Sequence, residues 1–187
     1  TSIVLIVFVF IVNQQINFVQ TQSLGYEKEN VIQFGIEGQA REKLEAFLGE
    51  VNQLPSIEQA SSIGESLVGG SNRFTIEKWE GKDNNQVSIE MRTVNYGLLE
   101  TLGMELTDGR SFKQDFSNEG NKVIFNEAAI TFMGLEDPIG QRVTLENDEL
   151  EIIGVVKNFH FASLRESIEP FFFVFRPAWN QNVMAKI

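Results

Sequence analysis

The sequence predicts an α+β domain that follows the end of a membrane helix, and three observations predict it. Ile3 to Val12 reads IVLIVFVFIV, ten apolar residues without interruption. A bilayer-spanning helix needs about 20 apolar residues and an amphipathic one shows a polar face, so this run fits the trailing end of a span. Next, a stretch with apolar residues at helical spacing stands between two short strand patterns, forming a βαβ unit of about thirty residues. Beyond it the chain alternates apolar and polar residues in short segments separated by turn residues, the pattern of hairpins.

The elements follow in order. The apolar run has two other readings, the core of a secretory signal and a buried core helix. No basic start precedes it and no small-residue cleavage site follows it. Asn13 to Ser23 is polar with spaced apolar residues at Ile16, Phe18 and Val19, consistent with the helix continuing as a stalk, and Gly25 is placed to end it. Between Asn13 and Glu27 there is no basic residue, which by the positive-inside rule puts the exit on the extracytoplasmic side. Val31 to Ile36 alternates as a strand. Gln39 to Gln53 carries Leu44, Phe47, Leu48 and Val51 on one helical face, and Pro55 closes it. Ile57 to Ile63 is the second strand. Gly64 to Asn72 is a loop containing Gly69-Gly70-Ser71.

Phe74 to Trp79 and Val87 to Val94 form a predicted hairpin around the turn-rich Glu80 to Asn85. A short helix over Asn95 to Leu102 and a loop at Gly109 to Phe112 lead to a strand at Lys122 to Phe125. Asn126 then caps a helix running to Gly134. After a turn at Asp137 to Gly140, Arg142 to Leu145 and Leu150 to Val156 form another hairpin around Glu146 to Glu149. Pro170 introduces the strand Phe171 to Phe175, and Val183 to Ile187 is a last strand.

Composition excludes several functions. The 187 residues are 42% apolar, enough for a core, and carry 26 acidic against 15 basic side chains, a net charge of −11. No basic patch exists to meet nucleic acid phosphates or anionic lipid. Cysteine is absent, which rules out disulfide frameworks, thiol nucleophiles and cysteine-type zinc sites.

Motifs for chemistry are equally sparse. His160 is the single histidine, so no histidine metal cluster can form. Ser66 and Ser163 are the serines weighed as its partners, but Gly64-Glu65-Ser66-Leu67-Val68-Gly69 lacks the glycine spacing of a nucleophile elbow. A half-buried histidine beside Phe159 and Phe161 is the preferred reading. Phosphate-cradling and dinucleotide-binding glycine patterns are missing. Glu146, Asp148, Glu149 and Glu151 lack the fixed glycine of a calcium loop and read as a solvated hairpin tip. The sixteen phenylalanines bunch at Phe159, Phe161, Phe171, Phe172, Phe173 and Phe175, which suits strands buried on two faces. Neighbours along a strand point to opposite sides, so Phe171, Phe172 and Phe173 cannot all serve one core. No catalytic, metal-binding or cofactor-binding residue is assigned.

A set of blocks carries a resemblance. Gln15 is followed by Leu24-Gly25-Tyr26 and Asn30-Val31-Ile32; then come Leu102-Gly103, Asp108-Gly109-Arg110-Ser111-Phe112 and Asn126-Glu127-Ala128. Further on stand Gly134, Pro138-Ile139-Gly140, the stretch Ile152 to His160, Ser163-Leu164-Arg165 and Ile168-Glu169-Pro170. In this order they resemble the extracytoplasmic domain of FtsX-like ABC transporter permeases, the MacB-like periplasmic core domain, in the form common among Bacteroidetes. Asn158 stands where such sequences often carry aspartate.

The resemblance implies a porter-like βαβ subdomain with a mostly-β subdomain inserted. Its division is residues 1–23 for the membrane helix end and stalk, 24–63 for the first porter-like unit, 64–169 for the insertion, and 170–187 for an incomplete second unit whose helix and last strand would lie beyond Ile187. It implies no chemistry in this domain and no cofactor. It implies instead an ABC ATPase, separate or fused, acting through the membrane part, a permease homodimer or pseudo-dimer, a periplasmic partner protein, and mechanotransmission across the inner membrane. The rival readings are an extracytoplasmic sensor or ligand-binding module of a membrane receptor and a membrane-anchored hydrolase.

Overall fold

The computed structural model describes residues 2–21, 24–68, 72–79, 86–116, 118–161 and 167–187. Its strands are β1 (Val31–Gly35), β2 (Gln59–Ile63), β3 (Arg73–Trp79), β4 (Val87–Val94), β5 (Leu106–Gly109), β6 (Lys122–Asn126), β7 (Arg142–Leu145), β8 (Asp148–Val156), β9 (Phe171–Phe175) and β10 (Asn182–Lys186). The helices are α1 (Ser2–Thr21), α2 (Gly38–Glu42), α3 (Leu44–Val51), α4 (Leu98–Thr101) and α5 (Glu127–Met133).

From Ile3 to Asn17 the side chains of α1 are exposed, with Val12 half-buried. Its first half is apolar on every face, because ten consecutive apolar residues leave no polar stripe. Among the described residues no helix is long and apolar enough to cross a membrane.

The first lobe is a three-stranded sheet. β10 lies between β1 and β2 and is antiparallel to both, with Val31 opposite Lys186 and Gln59 opposite the same residue. β1 and β2 therefore run parallel, joined by α2 and α3 as a split βαβ unit. Leu44 and Leu48 of α3 bury against Ile36, Ala60, Val183 and Ala185. The continuous helix expected over Gln39 to Gln53 is instead divided at Lys43, whose φ and ψ are −118° and 43°. Only the second half has an apolar face to bury, since α2 has no buried residue.

The second lobe is a closed ring. Its six strands follow the order β4-β3-β7-β8-β6-β9, and β9 returns to pair in parallel with β4, Glu90 opposite Phe171. All six send alternate side chains inward: Ile76, Met91, Val123, Val143, Ile152 and Phe172 share one buried cluster with Ala129 and Met133 of α5. The Trp79 indole N–H donates to the Met133 carbonyl at 3.0 Å, fixing α5 to the ring. The outer face of β6, β8 and β9 faces a second cluster, where Ile124, Ile153, Phe171 and Phe173 meet Leu98 and Leu99 of α4 and Ile63 and Met184 of the small sheet. Thus Phe171 and Phe173 serve one core and Phe172 the other, as the alternation requires, and all three are at most 1% exposed.

Several boundaries depart from the sequence reading. β9 hydrogen-bonds to β4 and β6, so Pro170 opens a ring strand, and the strand that joins β1 and β2 is β10. β5 pairs with β8, where a loop was expected around Gly109. The helix expected from Asn95 starts at Leu98, because Gly97 takes a left-handed φ of +77°. The β7–β8 hairpin has the shortest form: Glu146 and Asn147 have φ of +55° and +107°, a two-residue turn matching the right-handed twist of its strands. The expected turn at Glu80 to Asn85 and the Gly69-Gly70-Ser71 segment lie outside the described residues.

Candidate functional site

Residues 24–30, ahead of β1, form a strap laid across both lobes. Gly25 has φ of +81°, and a side chain there would put its Cβ 2.5 Å from the Asn158 carbonyl oxygen and 2.8 Å from Phe159 Cα. Only glycine permits that approach. On either side of it, backbone groups engage three separate segments. The His160 N–H donates to the Leu24 carbonyl at 2.8 Å, the Glu27 N–H to the Leu102 carbonyl at 2.7 Å, and the Ile187 N–H to the Asn30 carbonyl at 2.8 Å. The Glu27 carboxylate accepts from Lys186 Nζ at 2.7 Å and lies over Gly103, where a Cβ would fall 2.8 Å from its Cδ. Tyr26 packs half-buried against the outer core, and burial pushes its phenol up from the ordinary value. Gly25 was expected to end the α1 helix. Its left-handed conformation is as expected, but its reason is close packing on Asn158 and Phe159.

Beside the strap is a crevice of about 320 Å³ whose walls include Tyr26, Glu105, Lys157 and His160. Lys157 Nζ donates to Glu105 at 2.8 Å, and that hydrogen bond, followed by the attraction of the charge, raises the amine above its ordinary value. His160 is half-buried between the strap it bonds through its backbone and the neighbouring rings of Phe159 and Phe161, which lie 5.8 Å apart. Ser66 is engaged elsewhere: its hydroxyl pairs with Gln33 Oε1 at 3.2 Å and its carbonyl accepts from Arg92 at 2.8 Å. Ser163 lies outside the described residues. Around the hairpin, three of the four carboxylates pair with cations. Asp148 faces Arg176 at 3.7 Å, Glu149 meets Arg142 at 3.1 Å and Glu151 meets Lys122 at 2.6 Å. Among the described residues no group of acidic or histidine side chains could hold a metal ion. A second, more open groove of about 520 Å³ runs between the α2–α3 junction and Pro177-Ala178, with Arg41, Glu42, Lys43 and Glu45 giving it mixed charge.

The sequence reading missed two buried polar assemblies. In the first, Arg92 and Glu90 sit two residues apart on β4, so both point to one face of the strand. Their side chains are 1% and 3% exposed and meet at 2.6 Å. Opposite charges at that spacing on a strand whose other face carries Val87, Ile89 and Met91 were the available signal. In the second, fully buried Asn180 faces Thr93 Oγ1 at 2.8 Å and donates to Ser62 Oγ at 2.9 Å. It closes the seam where the two lobes share a single ladder pair, Ile63 with Val94. No local pattern marks it, because its partners come from distant strands.

A family model described as the MacB-like periplasmic core domain matches residues 2–184. The chain belongs to that family. Solved structures agree at the level of fold. This MacB-like periplasmic core domain is similar to the periplasmic region of MacB from Actinobacillus actinomycetemcomitans, with a TM-score of 0.59 at 13% identity over 87% of this chain and 76% of that one. It is also similar to the extracellular domain of the noncanonic ABC-type transporter YknZ from Gram-positive bacteria, with a TM-score of 0.54 at 18% identity over 84% of this chain and 83% of that one. No curated protein sequence matches the domain significantly. The mixed α+β architecture of the MacB-like periplasmic core domain is therefore shared across sequences that retain little identity.

Proposed function

We propose that this chain is the non-catalytic extracytoplasmic domain of an ABC transporter permease, coupling ATP-driven movement of membrane helices to export or to regulation of a partner outside the membrane. The observation that carries this reading is an exposed apolar helix followed by residues 24–30 that are bonded to both lobes. The exposed apolar half of α1, Ile3 to Ile11 at 50–77% exposure, suits the hydrocarbon of a bilayer, and its polar half suits the water beyond. Helical rise is fixed at about 1.5 Å per residue, so a helix carries displacement without stretching. Family membership supports the transporter context. The absence of Lys and Arg from Asn13 to Tyr26 supports an extracytoplasmic exit. An ABC ATPase, separate or fused, supplies the energy. A second permease copy or half completes the transporter, and a periplasmic protein receives the movement. The two-lobed body is the moving part, and no residue in it is assigned to bond-making chemistry.

The experiment is purification of the full-length parent from membranes in mild detergent, with co-purifying subunits identified by mass spectrometry. Recovery of a nucleotide-binding subunit with ATP turnover supports the reading, and a parent with neither a bound nor a fused ATPase overturns it. A flexible Gly-Ser insertion after Gln20 then tests the coupling, which it should abolish while ATP hydrolysis continues.

A further inference from the structure

Two of the ties between the small sheet and the ring lie at the ends of β10, and Gln59 and Ser61 of β2 add bonds to the Gly97 and Tyr96 carbonyls. At one end of β10, Asn182 lies opposite Ile63, next to the single β2–β4 ladder pair and the buried Asn180. At the other end, four residues along and about 13 Å away at strand rise, Lys186 and Ile187 are tied to Glu27 and Asn30 of the strap. The same strap is tied through Leu24 and Glu27 to His160 and Leu102, which follow β8 and α4. It is thus bonded to the ring side and to the far end of the sheet within seven residues.

We propose that the Leu24–Asn30 strap is a latch that fixes α1 to both lobes at once, with Gly25 as its positioning residue, so that the lobes follow the helix as one body. This rests on the coupling reading above, but the docked latch is a structural claim that can be measured separately. Its seating depends on a residue without a side chain: at Gly25 both the positive φ and the closeness of the Asn158–Phe159 backbone exclude one. The Glu27–Lys186 pair adds a second, weaker tie at the sheet. Apolar packing joins the lobes too, since Ile63 and Met184 share a core with Phe171 and Phe173. A latched strap therefore has a coherent body to move.

The test uses the full-length protein in lipid nanodiscs, nucleotide-free and vanadate-trapped, read by hydrogen exchange at the amides of Glu27, His160 and Ile187. Val123 and Phe172 inside the ring report whether the fold survives. Gly25→Val should speed exchange at the three latch amides by about tenfold or more while the ring amides keep their protection. Lys186→Glu should speed Glu27 and Ile187 by a smaller factor, and it decides alone if Gly25→Val disturbs the ring. Spin labels on Gln14→Cys and Gln53→Cys should show one narrow distance distribution that is the same in both nucleotide states, and a broadened one in Gly25→Val. Latch amides that exchange equally slowly in wild type and variants would overturn the latch, and so would a wild-type distance that changes on trapping. Failure to find an ATPase would remove the coupling reading and leave the nucleotide-free exchange result standing.

Discussion

Replacing Arg92 with methionine keeps the bulk of the side chain and removes its charge and donors. Its Nε donates to the Ser66 carbonyl at 2.8 Å, and one terminal nitrogen donates to Glu90 at 2.6 Å and to the Met91 carbonyl at 2.7 Å. The guanidinium also lies 5.6 Å from the centre of the Phe171 ring. Breaking a buried ion pair from one side typically costs about 3–5 kcal/mol, mostly because the remaining charge stays buried. Glu90 keeps the Asn72 N–H at 2.8 Å and Arg73 at 3.7 Å, so the lower end, about 3 kcal/mol, is expected. In urea unfolding followed by circular dichroism, that loss lowers the midpoint with the slope unchanged. Adding Glu90→Gln removes the stranded charge and leaves an amide oxygen for Asn72, so the double variant should regain at least about 1 kcal/mol over Arg92→Met alone. A single-variant loss below about 1 kcal/mol, or a double variant no more stable than the single, would refute the account of the pair as a desolvated, mutually dependent unit.

Other expectations concern the core, the backbone and the strap. Phe173→Ala empties a fully buried site with the Phe171 and Phe159 rings 5.0 and 5.8 Å away, and should cost about 3–5 kcal/mol in the same urea assay. Gly134→Ala and Gly109→Ala both force alanine to φ of +69°, but Gly134 has open space around it while a Cβ at Gly109 would overlap the Ile153 carbonyl oxygen. The first should cost about 1 kcal/mol and the second at least twice that, a contrast that calorimetric Tm values resolve. The Lys186 amine is raised above 10.5 by its hydrogen bond to Glu27, then by attraction to Glu27 and Glu58. Its tie is therefore fully present below pH 10.5 and is lost as pH rises through the raised native value. A titration of the Lys186 side chain by NMR should give a midpoint above 10.5 that falls back in Glu27→Gln.

Local features of the fold were legible where the signal is local. Asn126 was read as a helix cap, and its side chain accepts from the Ala129 N–H at 2.9 Å. The same oxygen also accepts from the Phe171 N–H, and its amide donates to the Glu169 carbonyl, a link to β9 that no spacing could reveal. The two hairpins were visible as alternation around turn residues, and the α3 face as Leu44 and Leu48 one turn apart. Closure of the ring was not visible, because β4 and β9 pair across some eighty residues of chain and parallel pairing leaves no turn signature. For the same reason the run Phe171 to Phe175 could be read as two-faced while its neighbours could not be named. At the strap, Gly25 stood out as a helix terminator, but the seat it fits is formed by Asn158 and Phe159, far along the chain. Ser66, weighed as a partner of His160, has its hydroxyl on Gln33 Oε1 and its carbonyl on Arg92, contacts that no local spacing announces.

The order in which strands are completed also sets when this domain can fold. β1 and β2 do not pair with each other and wait for β10 to enter between them, while the ring stays open until β9 arrives to join β4 to β6. Both lobes are thus finished by β9 and β10, although the β3–β4 and β7–β8 hairpins and the β3–β7 and β6–β8 pairings can form before them. Long-range closure of this kind is slow and leaves apolar strands uncovered meanwhile. A cut placed before Phe171 should leave the ring open and β1 and β2 without the strand that lies between them.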